Sequence, residues 1–110
     1  MKEFDKPAAV PGIENLGEKS GTINLEVNKI YSIKITGAAS FVLPTPEDKN
    51  IFNQIKIMAA ITGTPSIDWG TSIFFNKTTP ETGGGNYDIY FDYDNLLNNW
   101  VCGILPKGAA

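Results

Sequence analysis

Histidine and arginine are both absent from this chain of 110 residues, and cysteine occurs once. Without histidine the chain lacks the commonest general base, the imidazole-based catalytic triads and dyads, and the most frequent metal ligand. The single thiol, Cys102, excludes an internal disulfide and a multi-cysteine zinc site. Because Cys102 lies in the apolar run WVCGI, we interpret it as a buried core residue. We therefore expect no enzyme activity, no metal ion and no cofactor.

All nine basic residues are lysines, and they are scattered through a chain of net charge −3. Arginine is the preferred side chain for guanine edges and for bidentate phosphate contacts, so its absence disfavours nucleic-acid binding. No apolar run approaches the roughly 20 residues of a membrane helix. The first twelve residues, MKEFDKPAAVPG, lack the apolar region of a secretory signal peptide. We expect no insertion into a membrane.

Alternation of apolar and polar residues begins at Gly21 and predicts one β domain over residues 21–110. The pair Asn28-Lys29 separates two alternating runs, which indicates a β-hairpin. Turn signals recur about every ten residues, as is typical of a small antiparallel β-sandwich or barrel-like domain with about eight short strands. The expected strands are GTINLEV, IYSIKIT, SFVLP, IFNQIKIMAAI, SIDWG, TSIFFN, NYDIYFDYD and NWVCGIL, and no convincing helix accompanies them.

Residues 1–20 keep neither a period of two nor a period of 3.6, and they hold few apolar residues and two prolines. We interpret this segment as an extended N-terminal arm in front of the β domain. Two readings of the arm stay open. One is an unstructured terminus, and the other is an attachment segment that orders on a partner, with Phe4, Val10 and Ile13 as apolar anchors.

The strand NYDIYFDYD places Asp88, Asp92 and Asp94 on one face. Alternate side chains of a strand lie about 6–7 Å apart, so Asp92 and Asp94 are candidates to share a cation. Asp88 and Asp92 also meet the spacing of two glycosidase carboxylates. A helix-flanked calcium loop needs a glycine turn and a later bidentate glutamate, and the sequence has neither. We favour the simpler interpretation, in which the aspartates form a solvent-exposed face whose charges discourage edge-to-edge pairing with another sheet.

Three apolar residues are predicted on outer faces of the β domain. Tyr90 shares its face with the aspartates, and Met58 shares its face with polar residues. Phe74 and Phe75 are consecutive, so in a strand they point to opposite faces. We take Met58, Phe74 and Tyr90 as candidates for a subunit interface or for contact with a glycan, because aromatic residues and methionine are enriched in interfaces. The two tryptophans are expected in the core.

The stretch from Gly21 to Leu105 contains the segments INLEVNKIYSIKITGAASFVLP, FNQIKIMAAI, SIDWG followed by FFN, NYDIYFDYD and NWVCGIL. In these segments it resembles a small β module of bacteriophage virion proteins. The resemblance rests on spaced aromatics and turns rather than on a catalytic signature. Such modules are found as the distal part of tail-fibre and baseplate proteins, and as short head-fibre or decoration proteins. The resemblance implies a β-sandwich-like domain that is commonly trimeric and is not an enzyme.

The resemblance predicts a capsid-attached decoration or head-fibre protein, made in the host cytoplasm and located on the surface of the phage particle. Residues 1–20 would attach to the particle, and residues 21–110 would form an exposed knob. The expected partners are other virion proteins and copies of the same chain, with a trimer favoured over a dimer. The alternative is a carbohydrate- or receptor-binding tip module of a tail fibre or baseplate. A host-derived adhesin or periplasmic domain is a weaker third reading, disfavoured by the missing export signal.

Overall fold

The structure, a computed structural model, describes residues 12–75, 77 and 79–108. These residues contain seven strands and no helix, which confirms the all-β class. In particular, this part of the chain has no helix that could cross a membrane. The strands are β1 (Ile13–Asn24), β2 (Ile30–Val42), β3 (Gln54–Ile61), β4 (Ile67–Asp68), β5 (Ile73–Phe74), β6 (Gly85–Asp94) and β7 (Asn99–Pro106).

The seven strands belong to one sheet with the order β1-β2-β3-β6-β7-β5, and β4 pairs with β2 off this path. The pairs β3–β6 and β6–β7 are antiparallel, as expected. The pairs β1–β2, β2–β3, β2–β4 and β5–β7 are parallel. The hairpin predicted around Asn28-Lys29 is therefore wrong, although the chain does turn there and Asn28 has a positive φ of 61°.

The parallel pairing of β1 with β2 requires a curved strand. Ile13 lies opposite Ile30, and Asn24 lies opposite Val42. A straight strand of this length would span about 36 Å, at a rise near 3.3 Å per residue. The six steps from Asn24 to Ile30 reach about 22 Å at most. β1 must therefore bend around the core, so that a short connection can return the chain to the start of β2.

Two glycines allow this curvature. The register between β1 and β2 shifts next to Gly17 and again next to Gly21. Their φ angles are 69° and 77°, a left-handed conformation that glycine adopts without a steric penalty. Short connections between alternating runs normally join antiparallel strands, and parallel strands usually need a dozen or more residues. The glycine bends make this case an exception. The sequence pattern indicated a hairpin because the connection between the two strands is short.

The first strand also begins earlier than the sequence indicated. β1 starts at Ile13, so residues 13–20 of the predicted arm pair with β2. Almost every side chain of this segment is exposed, and Leu16 is its one half-buried residue. The backbone is therefore paired with little side-chain burial. Without burial there is no apolar alternation to reveal the strand, which is the physical reason for the difference from the predicted boundary at Gly21.

Alternate residues of the long strands meet in one core. Phe41 is the centre of an aromatic group in which its ring lies 5.6 Å from that of Trp69 and 6.1 Å from that of Phe91. Trp100 is buried and its indole Nε1 donates a hydrogen bond of 2.9 Å to the carbonyl of Pro44. Both tryptophans are thus core residues, as predicted. The other buried apolar residues are Ile23, Leu25, Tyr31, Ile33, Ile35, Ala39, Ile55, Ile57, Ala59, Ile61, Tyr87, Ile89 and Cys102.

Candidate interaction surfaces

Two aspartates of the acidic row are engaged in local contacts with neighbouring chain segments. Lys107 Nζ lies 2.9 Å from Asp88 Oδ1, forming an ion pair between the end of β7 and the middle of β6. Gln54 Nε2 donates a hydrogen bond of 2.8 Å to Asp92 Oδ1 across the β3–β6 pair. Within residues 12–75, 77 and 79–108, no three carboxylate or thiol side chains gather where a metal ion could bind. Asp88 and Asp92 therefore each link β6 to a neighbouring segment of the chain.

Phe74 and Tyr90 line the same groove on the outer face of the sheet. Gly103 lies opposite Tyr90 in the β6–β7 register, and a Cβ at Gly103 would meet nothing within 4 Å. The missing side chain leaves an open floor between the walls, and the groove has a volume of about 540 Å³. Its other lining residues are Phe75, Pro80, Asp92, Val101, Cys102, Ile104 and Leu105. The sheet therefore brings two of the three predicted contact residues together.

The two consecutive phenylalanines divide between the core and the surface. The ring of Phe74 packs edge-on against Trp69 with 6.1 Å between centroids, and Phe74 is half-buried. Phe75 is 76% exposed. Their opposite orientation was predicted, but alternation alone does not say which parity faces inward. β5 has two residues, so it offers no longer pattern from which to decide.

The groove is mainly apolar and carries one negative charge. Asp92 is the one charged residue among those that line it. Leu105 and Phe75 border the groove and are exposed over 57% and 76% of their surfaces. Lys56 lies beside it, with Nζ 5.5 Å from the centroid of the Tyr90 ring, a cation–π distance. The groove thus offers aromatic faces, a carboxylate and a nearby ammonium group.

Met58, the third predicted contact residue, lies elsewhere. It stands on β3 opposite Asp88 and borders a separate depression, which we call the cleft. The cleft has a volume of about 440 Å³ and lies over β1, β2 and β3. The charges on its walls are balanced, because Lys107 is ion-paired with Asp88 and Lys34 lies opposite Glu18 in the β1–β2 register. Its remaining lining residues are Asn15, Gly17, Ser32, Ile33, Ala59, Ala60 and Asn86.

A third surface was missed by sequence reasoning. It lies at the end of the sheet where β3 begins and β6 ends, and we call it the apolar tip. Leu96 is 92% exposed and Phe52 is 70% exposed, while Ile51 and Leu97 are each more than half exposed. These four side chains form the tip. The signal in the sequence is a pair of short runs, NIFN and NLLN, in which two large apolar residues are flanked by asparagines within polar loops.

The backbone of the tip is held by its own side chains. Asp94 Oδ1 accepts hydrogen bonds from the backbone N–H groups of Leu96 and Leu97, at 2.9 Å and 3.0 Å. Asn95 Nδ2 donates to the carbonyl of Lys49 at 2.9 Å, which links the two loops. Such Asx-type contacts fix a loop without any partner. The third aspartate of the acidic row is therefore a loop-capping residue.

Asn53 anchors the other loop from below. Its side chain is buried, and its Nδ2 donates to the carbonyls of Asp48 and Ile51 at 2.9 Å and 3.2 Å. The backbone carbonyl of Asn53 accepts a hydrogen bond of 3.0 Å from the backbone N–H of Tyr93. Buried polar groups are normally paired in this way, because an unpaired one is costly. The loop that carries Phe52 is consequently tied to the end of β6.

Cys102 behaves as the sequence indicated, as a small buried core residue. Its side chain is almost fully buried. Burial raises the pKa of the thiol to about 12. A thiol that stays protonated is a poor nucleophile and a poor metal ligand, so Cys102 is inert at neutral pH.

The proposed attachment residues are only partly within the structure. Phe4 and Val10 lie outside the described residues. Ile13 begins β1 and is 60% exposed, so its side chain is accessible at the edge of the sheet. It borders a shallow depression with Lys29, whose pKa is raised by hydrogen bonds to Glu14 and Glu26.

No family model matches the chain, and no curated protein or solved structure is detectably similar to it.

Proposed function

We propose that the chain is a structural protein of a bacteriophage particle, a capsid-attached decoration or head-fibre protein whose β domain forms a knob on the surface. The proposal includes assembly with other copies, with a trimer favoured over a dimer. Two things support it: the spaced aromatics and turns that resemble phage virion modules, and the small all-β domain described above. Attachment is assigned to the N-terminal segment that contains Phe4, Val10 and Ile13.

The observation that carries the proposal is the clustering of exposed apolar side chains. Nine large apolar residues are exposed in the described part of the chain. Four of them form the tip, and Phe75 and Leu105 border the groove. Isolated exposed apolar residues are normal on a soluble protein, whereas contiguous patches mark surfaces that another molecule covers. A subunit that works by assembly has such surfaces.

The polar groups support the same conclusion. Asp94 and Asn53 hold loops, and Asp92 receives a cross-strand hydrogen bond from Gln54. Each of these side chains thus makes a hydrogen bond that stabilises the fold. The arrangement suits a protein whose function is to keep its shape and present its surfaces.

The test is the protein composition of gradient-purified phage particles from the culture that produces the chain. Quantitative mass spectrometry should find the chain in a fixed ratio to the major capsid protein, and an antibody against it should label intact particles in electron micrographs. Particles that lack the chain, with the chain left in the soluble fraction, would overturn the proposal.

A second candidate function, carbohydrate binding in the groove, is favoured by one specific observation. The groove combines the rings of Tyr90 and Phe75 with the carboxylate of Asp92. Its volume of about 540 Å³ lies within the range of ligand pockets. Flat apolar faces with a few polar groups at the edge are suited to a sugar ring.

A glycan array followed by titration of any bound sugar tests this candidate. Gly103→Leu would fill the floor of the groove and should abolish binding, whereas Leu97→Ser, outside the groove, should leave it unchanged. An array without signal, or sugar binding that survives Gly103→Leu, would exclude the groove as a glycan site.

A further inference from the structure

We infer that the first part of β1, residues 13–20, exchanges between copies, so that this segment of one copy pairs with β2 of the next. We call the segment the strap. The inference rests on the proposed assembly of copies and names the segment that joins them. The receiving edge and the segment that covers it are both present in one chain, because the strap pairs with residues 30–35 of its own β2.

The strap is held to its own copy by backbone pairing and by little else. Its register runs from Ile13 opposite Ile30 to Lys19 opposite Ile35. Seven of its eight side chains are exposed, and Leu16 is half-buried. Burial of apolar surface is the main favourable contribution to folding, so a segment that buries little opens at a small free-energy cost.

The chain enters the core directly behind the strap. Ile23 and Leu25 are 3% and 4% exposed. The N–H of Leu25 donates a hydrogen bond of 3.1 Å to the carbonyl of Val42. These contacts hold the rest of β1 in place without any contribution from the strap, so the strap can leave while the core stays closed.

Gly21 supplies a hinge between the strap and the core residues. The register shifts between Lys19 and Gly21, so the pairing with β2 is interrupted at this point. Gly21 has a φ of 77°, and a Cβ there would meet nothing within 4 Å. Glycine populates positive and negative φ about equally well, and nothing is packed against this one. The strap can therefore rotate outward about Gly21 without moving the core.

Departure of the strap opens one edge of β2. Residues 30–35 pair with β3 on their other side, so the opened edge would present a row of unpaired backbone N–H and C=O groups. Such an edge is a template for another strand. The strap of a second copy has the sequence that already fits this edge, in a register that the single chain shows.

Charged side chains favour the same register within and between copies. Glu14 Oε1 lies 3.1 Å from Lys29 Nζ. Glu18 lies opposite Lys34 in the β1–β2 register. Opposite charges on neighbouring strands favour pairing, although each exposed pair contributes little. An exchanged strap makes the same pairs as a retained one, which is why identical elements swap between copies at low cost.

Exchange gives each copy one strap to donate and one edge to receive a strap. The contact joins two different surfaces, so it is heterologous, and a ring of three copies leaves no receiving edge open. The retained and the exchanged strap make equivalent contacts. The balance between them is therefore set by the concentration of neighbouring copies, which is high where copies are held side by side on a particle.

Cross-linking of the wild-type chain tests the exchange directly. Chains labelled with ¹⁴N and ¹⁵N are unfolded, mixed, refolded at low concentration and then concentrated. A carbodiimide joins Glu14 to Lys29 across an ion pair of 3.1 Å. The control is the ion pair of Asp88 with Lys107, at 2.9 Å between β6 and the residue after β7. Mass spectrometry of the digested protein separates links within one copy from mixed-label links between copies.

We expect mixed-label links between Glu14 and Lys29 that increase with concentration, whereas links between Asp88 and Lys107 stay within one copy. If the Glu14–Lys29 links stay within one copy at concentrations where the chain associates, the inference is wrong. Mixed-label links in equal proportion at both pairs would also overturn it, because they would report contact between copies without exchange of the strap.

A disulfide that fixes the strap provides a second test. Glu18→Cys with Lys34→Cys places thiols at paired positions on strands about 4.8 Å apart, a separation that a disulfide accepts. Oxidation at high dilution joins the strap to its own copy. The matched control is Ser32→Cys with Met58→Cys, which links the parallel strands β2 and β3 and leaves the strap free. Circular dichroism establishes that each variant is folded.

The oxidised strap variant should keep the sedimentation mass of one chain at concentrations where its reduced form and the oxidised control associate. An oxidised strap variant that associates as strongly as its reduced form would contradict the exchange. Should a variant fail to fold, the cross-linking of the wild-type chain decides the question without any substitution.

The outcomes separate this inference from the proposed function. Association with straps retained in their own copies removes the exchange and leaves the proposed assembly in place. A wild-type protein that never associates removes both the exchange and the assembly, while membership of the phage particle is decided by the composition of purified particles.

Discussion

Asn95 and Lys49 connect the two loops of the apolar tip through a single hydrogen bond, from Nδ2 of Asn95 to the carbonyl of Lys49 at 2.9 Å, although they are 46 positions apart in the sequence. The side chain of Lys49 adds a second link, because its Nζ donates to Asn98 Oδ1 at 3.0 Å. The loops are therefore joined to each other as well as to the sheet. This fixed geometry is what makes the tip a defined surface rather than two independent loops.

Asp94→Ala should destabilise the domain by about 1–2 kcal/mol, because two backbone N–H groups lose their charged acceptor. Denaturant unfolding followed by circular dichroism measures the change. Asp94→Asn keeps an oxygen acceptor at the same place and should recover about half of the loss or more. A variant Asp94→Ala as stable as the wild type would show that the capping contacts contribute nothing.

Asn53→Ala should cost about 1–3 kcal/mol, since the carbonyls of Asp48 and Ile51 lose a buried donor. The matched control is Asn50→Ala, at an exposed position three residues earlier, which should change the unfolding free energy by less than about 0.5 kcal/mol. Thermal and denaturant unfolding of both variants provide the comparison. Equal stabilities of the two variants would contradict the anchoring role of Asn53.

Gly70→Ala should destabilise the domain, whereas Gly103→Ala should leave its stability nearly unchanged. Gly70 has a φ of 74°, and a Cβ there would lie 3.0 Å from the carbonyl oxygen of Phe41. The substitution should therefore cost about 1–2 kcal/mol from the left-handed conformation alone. Gly103 has open space above it, so alanine there should be close to neutral. Unfolding free energies of the two variants test this, and an unaffected Gly70→Ala would be inconsistent with the structure.

Cys102 should make the domain less stable at high pH. Burial raises the pKa of its thiol in the folded protein from 9.0 to about 12. Above pH 9 the unfolded chain loses this proton while the folded chain keeps it, so the free energy of unfolding falls as the pH rises towards 12. Unfolding at pH 8, 9 and 10 should show a steeper decline for the wild type than for Cys102→Ala. Parallel curves would contradict a buried, protonated thiol.

The native thiol should also resist alkylation. Iodoacetamide reacts with the thiolate, which is scarce in the folded protein at pH 8 because of the raised pKa of Cys102. Mass spectrometry should find no adduct under native conditions and complete modification in denaturant. Rapid modification of the folded protein would show that the side chain is accessible.

The sequence predicted the elements whose residues alternate between core and solvent. β3, β6 and β7 were found because residues such as Ile57, Ile89 and Trp100 occupy every second position and are buried. The first eight residues of β1 were missed because their backbone pairs while their side chains stay in water. The parallel pairing was missed because it depends on the bends at Gly17 and Gly21. The alternation of apolar and polar residues carries no information about the φ angle of a single glycine.

The candidate surfaces show the same division. Tyr90 was recognisable because it interrupts an acidic face, and Phe74 was found with it in one groove. The tip was not recognisable in this way, because the loops that carry Phe52 and Leu96 are far apart in the sequence and are linked only in the folded chain, by the hydrogen bond from Asn95 to Lys49. Loops without periodicity carry no signal about which of their apolar residues remain exposed.

The most direct test of assembly through exposed apolar surfaces is the sedimentation velocity of the wild-type chain over a wide concentration range, in low and in high salt. We predict a mass that rises from that of one chain towards that of three as concentration increases, because association covers the exposed apolar surfaces. A folded protein that keeps the mass of one chain at every concentration and in both salts would contradict the account.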